Sequence, residues 1–175
     1  MSQYLVLTAM GACRTESVSE LTKLVSECGC NIIDSRMAVF GLELTFIMLL
    51  NGDNRSINQI EAKLPAIALE LELITMMKRT SGYKSQEFTQ HYHAEYAGID
   101  QPGLLKASTA FFANRDIYIS SLTSDINPQN NIMTAHILFS LTQNTSIDDL
   151  ESSFLQLCEQ IGVQGCIKKS TSNLL

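Results

Sequence analysis

The chain has little positive charge. Its 12 Lys and Arg face 18 Asp and Glu, a formal net charge of −6. The deficit is shared: residues 1–80 hold 7 basic and 9 acidic residues (−2), and residues 81–175 hold 5 and 9 (−4). Neither half has the basic excess that neutralises phosphates, so direct DNA binding is not expected. No apolar run approaches the ~20 residues that cross a bilayer, so no membrane partner is expected. Met1-Ser2-Gln3-Tyr4 puts no basic segment ahead of its short apolar run, which argues against a secretory leader. The cysteines, Cys13, Cys28, Cys30, Cys158 and Cys166, are odd in number and include no C-x-x-C. Free thiols in a reducing, cytoplasmic setting are expected. No nucleophile elbow, P-loop or dinucleotide glycine motif occurs, and no carboxylate pair stands out for acid–base work. The chain is therefore not expected to be an enzyme, to hold catalytic residues or to need a cofactor. Of its three histidines, His91 and His93 lie two apart and share a strand face, with His136 far along the chain. No Cys-His spacing of a zinc site accompanies them, so no metal is expected.

What the chain does have, it has twice. Residues 4–52 read as strand, glycine turn, helix, strand, turn, strand, and residues 92–144 read the same way. Gly11 and Gly98 follow the first strand of each copy. Asn31-Ile32 and Asp116-Ile117 open the second. A helix and a short strand close each unit. Two β-α-β-β-α-β patterns predict an α+β chain of two ferredoxin-like domains in tandem, each a four-stranded antiparallel sheet with two helices on one face. The expected boundaries are residues 1–80, a polar linker over 81–90, and residues 91–175.

Local patterns fill in the elements. Thr15 reads as the N-cap of the first helix, whose buried stripe is Val18, Leu21, Val25 and Cys28. Leu44, Phe46, Met48 and Leu50 alternate with Thr45, Ile47 and Leu49, so this strand is apolar at nearly every position. That predicts a sheet covered on both faces. Pro65 falls inside the second helical pattern, where it is expected to distort or end the helix. Leu71 to Lys78 is the expected fourth strand.

Asp100-Gln101-Pro102-Gly103 is the most specific local signal. It joins a strand to a helix N-terminus, where unpaired backbone N–H groups and the helix dipole favour a carboxylate. Gly98 and Gly103 would let a ligand approach the backbone. The bland alternative is a helix-start turn with Asp100 as a local cap. Asn31, Ile32 and Asp34 open the second strand. Asp34 could accept from an amino group, or simply pair with Arg36 on the surface.

A βαββαβ unit with D-x-P-G between its first strand and helix resembles an ACT domain, the small-molecule regulatory module of amino-acid metabolism. The stretches Ser26–Ala38, Leu44–Leu50 and Met76-Met77-Lys78-Arg79-Thr80 are similar to the glycine cleavage system transcriptional repressor family. That resemblance implies a regulator that opposes a LysR-type activator by protein contact, with glycine or another small amino acid as signal, and a homodimer as one assembly. The first copy departs from the pattern. After Gly11 it carries Cys13-Arg14-Thr15-Glu16 where D-R-P-G is expected, and Glu16 would repel a carboxylate. This leaves two other roles open: a ligand-free interaction or dimerisation module, and a regulatory subunit of an amino-acid metabolic enzyme.

Overall fold

The computed structural model describes residues 2–81, 90–141 and 146–170. The chain divides into two compact units, Met1–Ser85 and Gln86–Leu175. Most of the expected linker, residues 82–89, lies outside the described residues, and Gln90 already opens a strand.

The first unit runs β1 (Gln3–Ala12), α1 (Thr15–Glu27), β2 (Asn31–Phe40), β3 (Glu43–Gly52), α2 (Asn54–Glu70), β4 (Leu73–Thr80). Its sheet order is β2-β3-β1-β4, antiparallel throughout. The inner pair sets Leu5 against Leu50, Leu7 against Met48 and Ala9 against Phe46. These six meet Leu21, Leu24 and Val25 of α1 and Ile57, Ile60 and Leu64 of α2 in one core. The period-2 pattern of the strands and the helical stripes thus bury a single face, as the split βαβ arrangement requires.

The second unit repeats this as β5 (Gln90–Ile99), α3 (Leu104–Ala113), β6 (Tyr118–Asn127), β7 (Ile132–Leu141), α4 (Ile147–Gln160) and β8 (Gln164–Lys169), with sheet order β6-β7-β5-β8. Its core is more aromatic. Phe112 packs on Phe139 at 4.9 Å between centroids, and Phe111 on Phe154 at 5.5 Å. Such pairs add roughly 0.5–1.5 kcal/mol beyond their buried area. Buried Tyr96 places its hydroxyl 3.1 Å from Ser108 Oγ, so both polar tips are satisfied inside the core. No helix among the described residues is long and apolar enough to cross a membrane.

Several local expectations need correction. Helix α1 starts at Thr15, its N-cap is Arg14, and no side chain caps it. Thr15 instead donates to the Glu16 carboxylate at 3.0 Å. Helix α2 continues through Pro65 to Glu70. Pro65 faces solvent between buried Leu64 and Ala68. The carbonyl deprived of its donor can turn to water while the buried stripe holds the helix on the sheet. The fourth strand begins at Leu73 because Leu71-Glu72 form the turn, with Glu72 at φ +53°.

Within the first unit, the helices bury one face of the sheet. Away from the helices, Met10, Ile47, Ile74 and Met76 are 45%, 39%, 71% and 72% exposed. They sit side by side in the register, Met10 opposite Ile74 and Thr8 opposite both Ile47 and Met76. The alternation in β3 identified both faces as apolar, but burial follows the helices, which lie on one.

Arg79 fastens the end of β4 to α2. Its guanidinium gives two bonds to the Glu61 carboxylate, at 2.8 and 2.7 Å, and further bonds to Gln3, Asn54 and Asn58. The bonds from Arg79 hold the Glu61 carboxyl below its usual value of 4.5, against a smaller upward push from burial. A carboxylate depressed in the folded state stabilises above its unfolded pKa and loses that stabilisation as pH falls through the folded one. The melting-temperature gap between wild type and Arg79→Ala is therefore expected to be full at neutral pH and to shrink below about pH 4.5. Thermal melts across pH 2–8 check this.

Candidate functional site

The two strand-to-helix turns occupy equivalent places but present different chemistry. In the first, Cys13 N–H donates to the Leu42 carbonyl at 2.8 Å, and Arg14 forms an ion pair with Glu72 from the turn before β4. The Glu16 carboxyl is held below its usual 4.5, chiefly by its own backbone N–H and then by the Thr15 hydroxyl. A carboxylate of the chain itself thus stands at the N-terminus of α1. It takes the place an incoming carboxylate would need.

In the second turn, no such group intervenes. Gly103 is the N-cap of α3, at φ +102° and with nothing within 4 Å of where a Cβ would stand. No side chain caps α3, so the alternative role of Asp100 as a cap is not realised. Asp100 uses its backbone N–H on the Asn131 carbonyl at 2.9 Å, and its carboxylate has no partner among the described residues. Gln101 donates to the Ile161 carbonyl at 2.7 Å, tying the turn to the end of α4. Pro102 lies between them, two residues ahead of α3. A cavity of about 320 Å³ opens beside this turn, bordered by Asp100, Gly103, Leu105, Ser124, Ile126 and Met133 among others. That is the low end of the range for small-ligand sites. Asp125 also borders it, but the strand register points Asp125 to the sheet face away from the helices. Asp100 is the acid available to a ligand there.

Gly98 has a different role from the expected one. A Cβ on it would lie 2.6 Å from Val163 Cγ1, so the glycine makes room for the chain entering β8 rather than for a ligand. Gly11 does the same for the Glu72–Leu73 backbone, with 2.7 Å to the Glu72 carbonyl oxygen. The anchors that mark the repeat are packing glycines. Gly103 is the one that frees the backbone.

Asn31, Ile32 and Asp34 are not brought to the first turn within their unit. Asn31 pairs with Asn51, whereas Gly11 pairs with Leu44, seven residues along β3. At about 3.3 Å per residue that separates them by roughly 23 Å. Ile32 packs on the core, and Asp34 pairs with Arg36, the surface alternative. A larger cavity, about 610 Å³, lies around the start of α2. Its anion position is already filled, because the Asp53 carboxylate accepts from Ser56 N–H at 2.7 Å and is held below its usual value by that bond.

One cluster differs from the sequence reading, which set His93 beside His91 and His136 and left out Glu95. His93, Glu95 and His136 converge on the second sheet, away from its helices. His136 Nδ1 lies 3.3 Å from His93 Nε2 and 3.8 Å from a Glu95 oxygen. Burial, then the neighbouring His136, pushes the His93 pKa down. The third histidine, His91, stands apart and contacts Ser140 at 2.9 Å. The alternation His93-x-Glu95 was visible in the chain, but only the β5–β7 register puts His136 opposite Glu95.

Comparison with known proteins fits this geometry. Residues 3–78 match the family model described as an ACT domain. The glycine cleavage system transcriptional repressors of Escherichia coli (strain K12) and Shigella flexneri are each 38% identical over 168 residues, 94% of this chain and 88% of theirs. The chain belongs to the glycine cleavage system transcriptional repressor family. A crystal structure assigned to the same repressor superposes with a TM-score of 0.82 at 35% identity, covering 98% of this chain and 99% of its own. An uncharacterised protein from Galdieria sulphuraria shares the fold at a TM-score of 0.75 and 19% identity, covering 98% and 100%. The family is thus one of ACT-type regulators rather than of enzymes, and its tandem ferredoxin-like plan is that of the two units described above.

The roles of the two glycines separate experimentally. Gly98→Ala is expected to cost about 1–3 kcal/mol by overpacking against Val163. Gly103→Ala meets no neighbour and is expected to cost about 1–2 kcal/mol through its left-handed backbone alone. Urea denaturation of the two variants reads both costs. A second-site Val163→Ala should relieve only the first.

Proposed function

We propose that this protein is a cytoplasmic regulator that acts by contact with a LysR-type transcriptional activator, and that it senses a small amino acid, glycine first among candidates, at the turn Asp100–Gly103. The observation that carries the sensing half is the contrast between the two turns. The first has its own Glu16 carboxylate at the helix N-terminus. The second leaves that position free beside a small cavity with an acid that has no partner among the described residues. A zwitterion suits it: the carboxylate faces the first-turn N–H groups of α3, and the ammonium faces Asp100. Leu104, Leu105 and Met133 leave space for a small side chain or none.

Protein contact is supported by the family and by the apolar face of the first sheet. Exposed Met10, Ile47, Ile74 and Met76 form the kind of surface that partners cover, and methionines adapt to partner shape. The charge of −6 works against DNA as the partner. The state of the first turn fits this division, with the first unit a ligand-free interaction module and only the second sensing.

Calorimetry with glycine tests the sensing claim. Wild type is expected to bind one equivalent per chain. Ser124→Trp is expected to abolish binding by filling the cavity mouth from an exposed edge-strand position. In a pull-down, glycine is expected to shift affinity for the activator by about 5–150-fold, the usual range of allosteric coupling. A shift is possible only if ligand distinguishes the free from the bound state. No heat with glycine and an unchanged pull-down would leave the plain interaction module.

A further inference from the structure

We propose that His93, Glu95 and His136 form a metal site on the second sheet, one that takes a late first-row transition ion such as zinc. The spacing of these residues along the chain pointed to no metal. The folded register points to one, independently of the amino-acid site.

The donor set is two imidazoles and a carboxylate, from neighbouring inner strands. His93 and Glu95 are two apart on β5 and so share a face, and β7 sets His136 directly opposite Glu95. Their ligand atoms all lie within 4.8 Å of one another. The closest pair is the most telling. Two nitrogens each about 2.0–2.1 Å from zinc, at a tetrahedral angle, lie about 3.3–3.4 Å apart. His93 Nε2 and His136 Nδ1 are 3.3 Å apart. The ring planes differ by 9°, and the centroids are 5.3 Å apart, well beyond the nitrogen separation. The rings are near-parallel and offset, which leaves the two nitrogens on their facing edges. Glu95 Oε2, 3.8 Å from His136 Nδ1, closes the third side with a small rotation.

The choice of ion follows from these donors. Imidazole suits zinc, copper, nickel and iron, whereas magnesium and calcium want oxygen alone. Two histidines and one glutamate are an established zinc set with a fourth position left for water. His136 and Glu95 side chains are 40% and 38% exposed, so an ion can reach them. Other groups on that face modulate the site. Lys168 pairs with His93 across β8 and opposes a cation, while Cys166 pairs with Glu95 and could supply the fourth ligand in place of water. His91 is set aside by its contact with Ser140.

The site would clip β5 to β7 at the centre of the sheet. The test uses the full chain, with zinc withdrawn from a chromophoric chelator. One equivalent per chain is expected. His93→Ala and His136→Ala are each expected to weaken uptake by about tenfold or more, the scale on which even the outer partners of a metal site count. His91→Ala and Cys13→Ser, which removes an exposed thiol, should change nothing. Imidazole NMR provides a second readout that does not depend on the variants folding: zinc should shift the ring signals of His93 and His136 and leave His91 in place. Cobalt substitution then assigns the fourth ligand, with thiolate charge-transfer absorption only if Cys166 joins. No uptake, uptake equal in all variants, or uptake lost with Cys13→Ser would overturn the proposal.

Discussion

The register of the inner strand pair governs each unit. β1 on β3, and β5 on β7, decide which side chains face the helices. A slip of one residue would turn Leu5, Leu7 and Ala9 to the bare side of the sheet and bring Tyr4, Val6 and Thr8 under the helices. The same register carries the central strand to its turn, where Gly11 or Gly98 lets the chain at the unit's last strand approach closely. In the second unit it also aligns Glu95 with His136. Core, turn and histidine cluster are three consequences of one alignment.

On that shared frame the two copies have diverged at their functional surfaces. The first keeps an apolar sheet face and has an acidic, ion-paired turn. The second has a free turn beside a cavity, and its sheet face carries His91, His93, Glu95, His136 and Lys168 beside exposed Ile99 and Ile132. This division suits a regulator in which one unit engages a partner and the other reads a small molecule. Each unit has its own core, so its surfaces can differ without disturbing the packing of the other.

The architecture was legible because it rests on local periodicities that burial enforces. The alternation of Leu44, Phe46, Met48 and Leu50 in β3 and the helical stripe of Leu21 and Val25 hold in the structure. The misreadings arose where a second element decides the outcome. Thr15 is a good cap by type, yet the chain enters α1 one residue earlier. Pro65 breaks an isolated helix, but the sheet beneath α2 holds it. Gly98 has the character of a ligand-approach glycine until Val163 is seen against it. The Asp100–Gly103 turn could be singled out from sequence because its residues are contiguous. The His93–Glu95–His136 cluster could not, because it spans 43 residues and exists only through strand pairing.

If the second turn senses the amino acid and the first does not, the two turns respond differently to glycine. A backbone amide NMR titration of the full chain with glycine tests it most directly, since each turn reports separately. Shifts are expected only around residues 100–106 and 124–133, with amides 13–17 unmoved. Shifts at Arg14–Glu16, with none at Gly103 and Leu104, would contradict it.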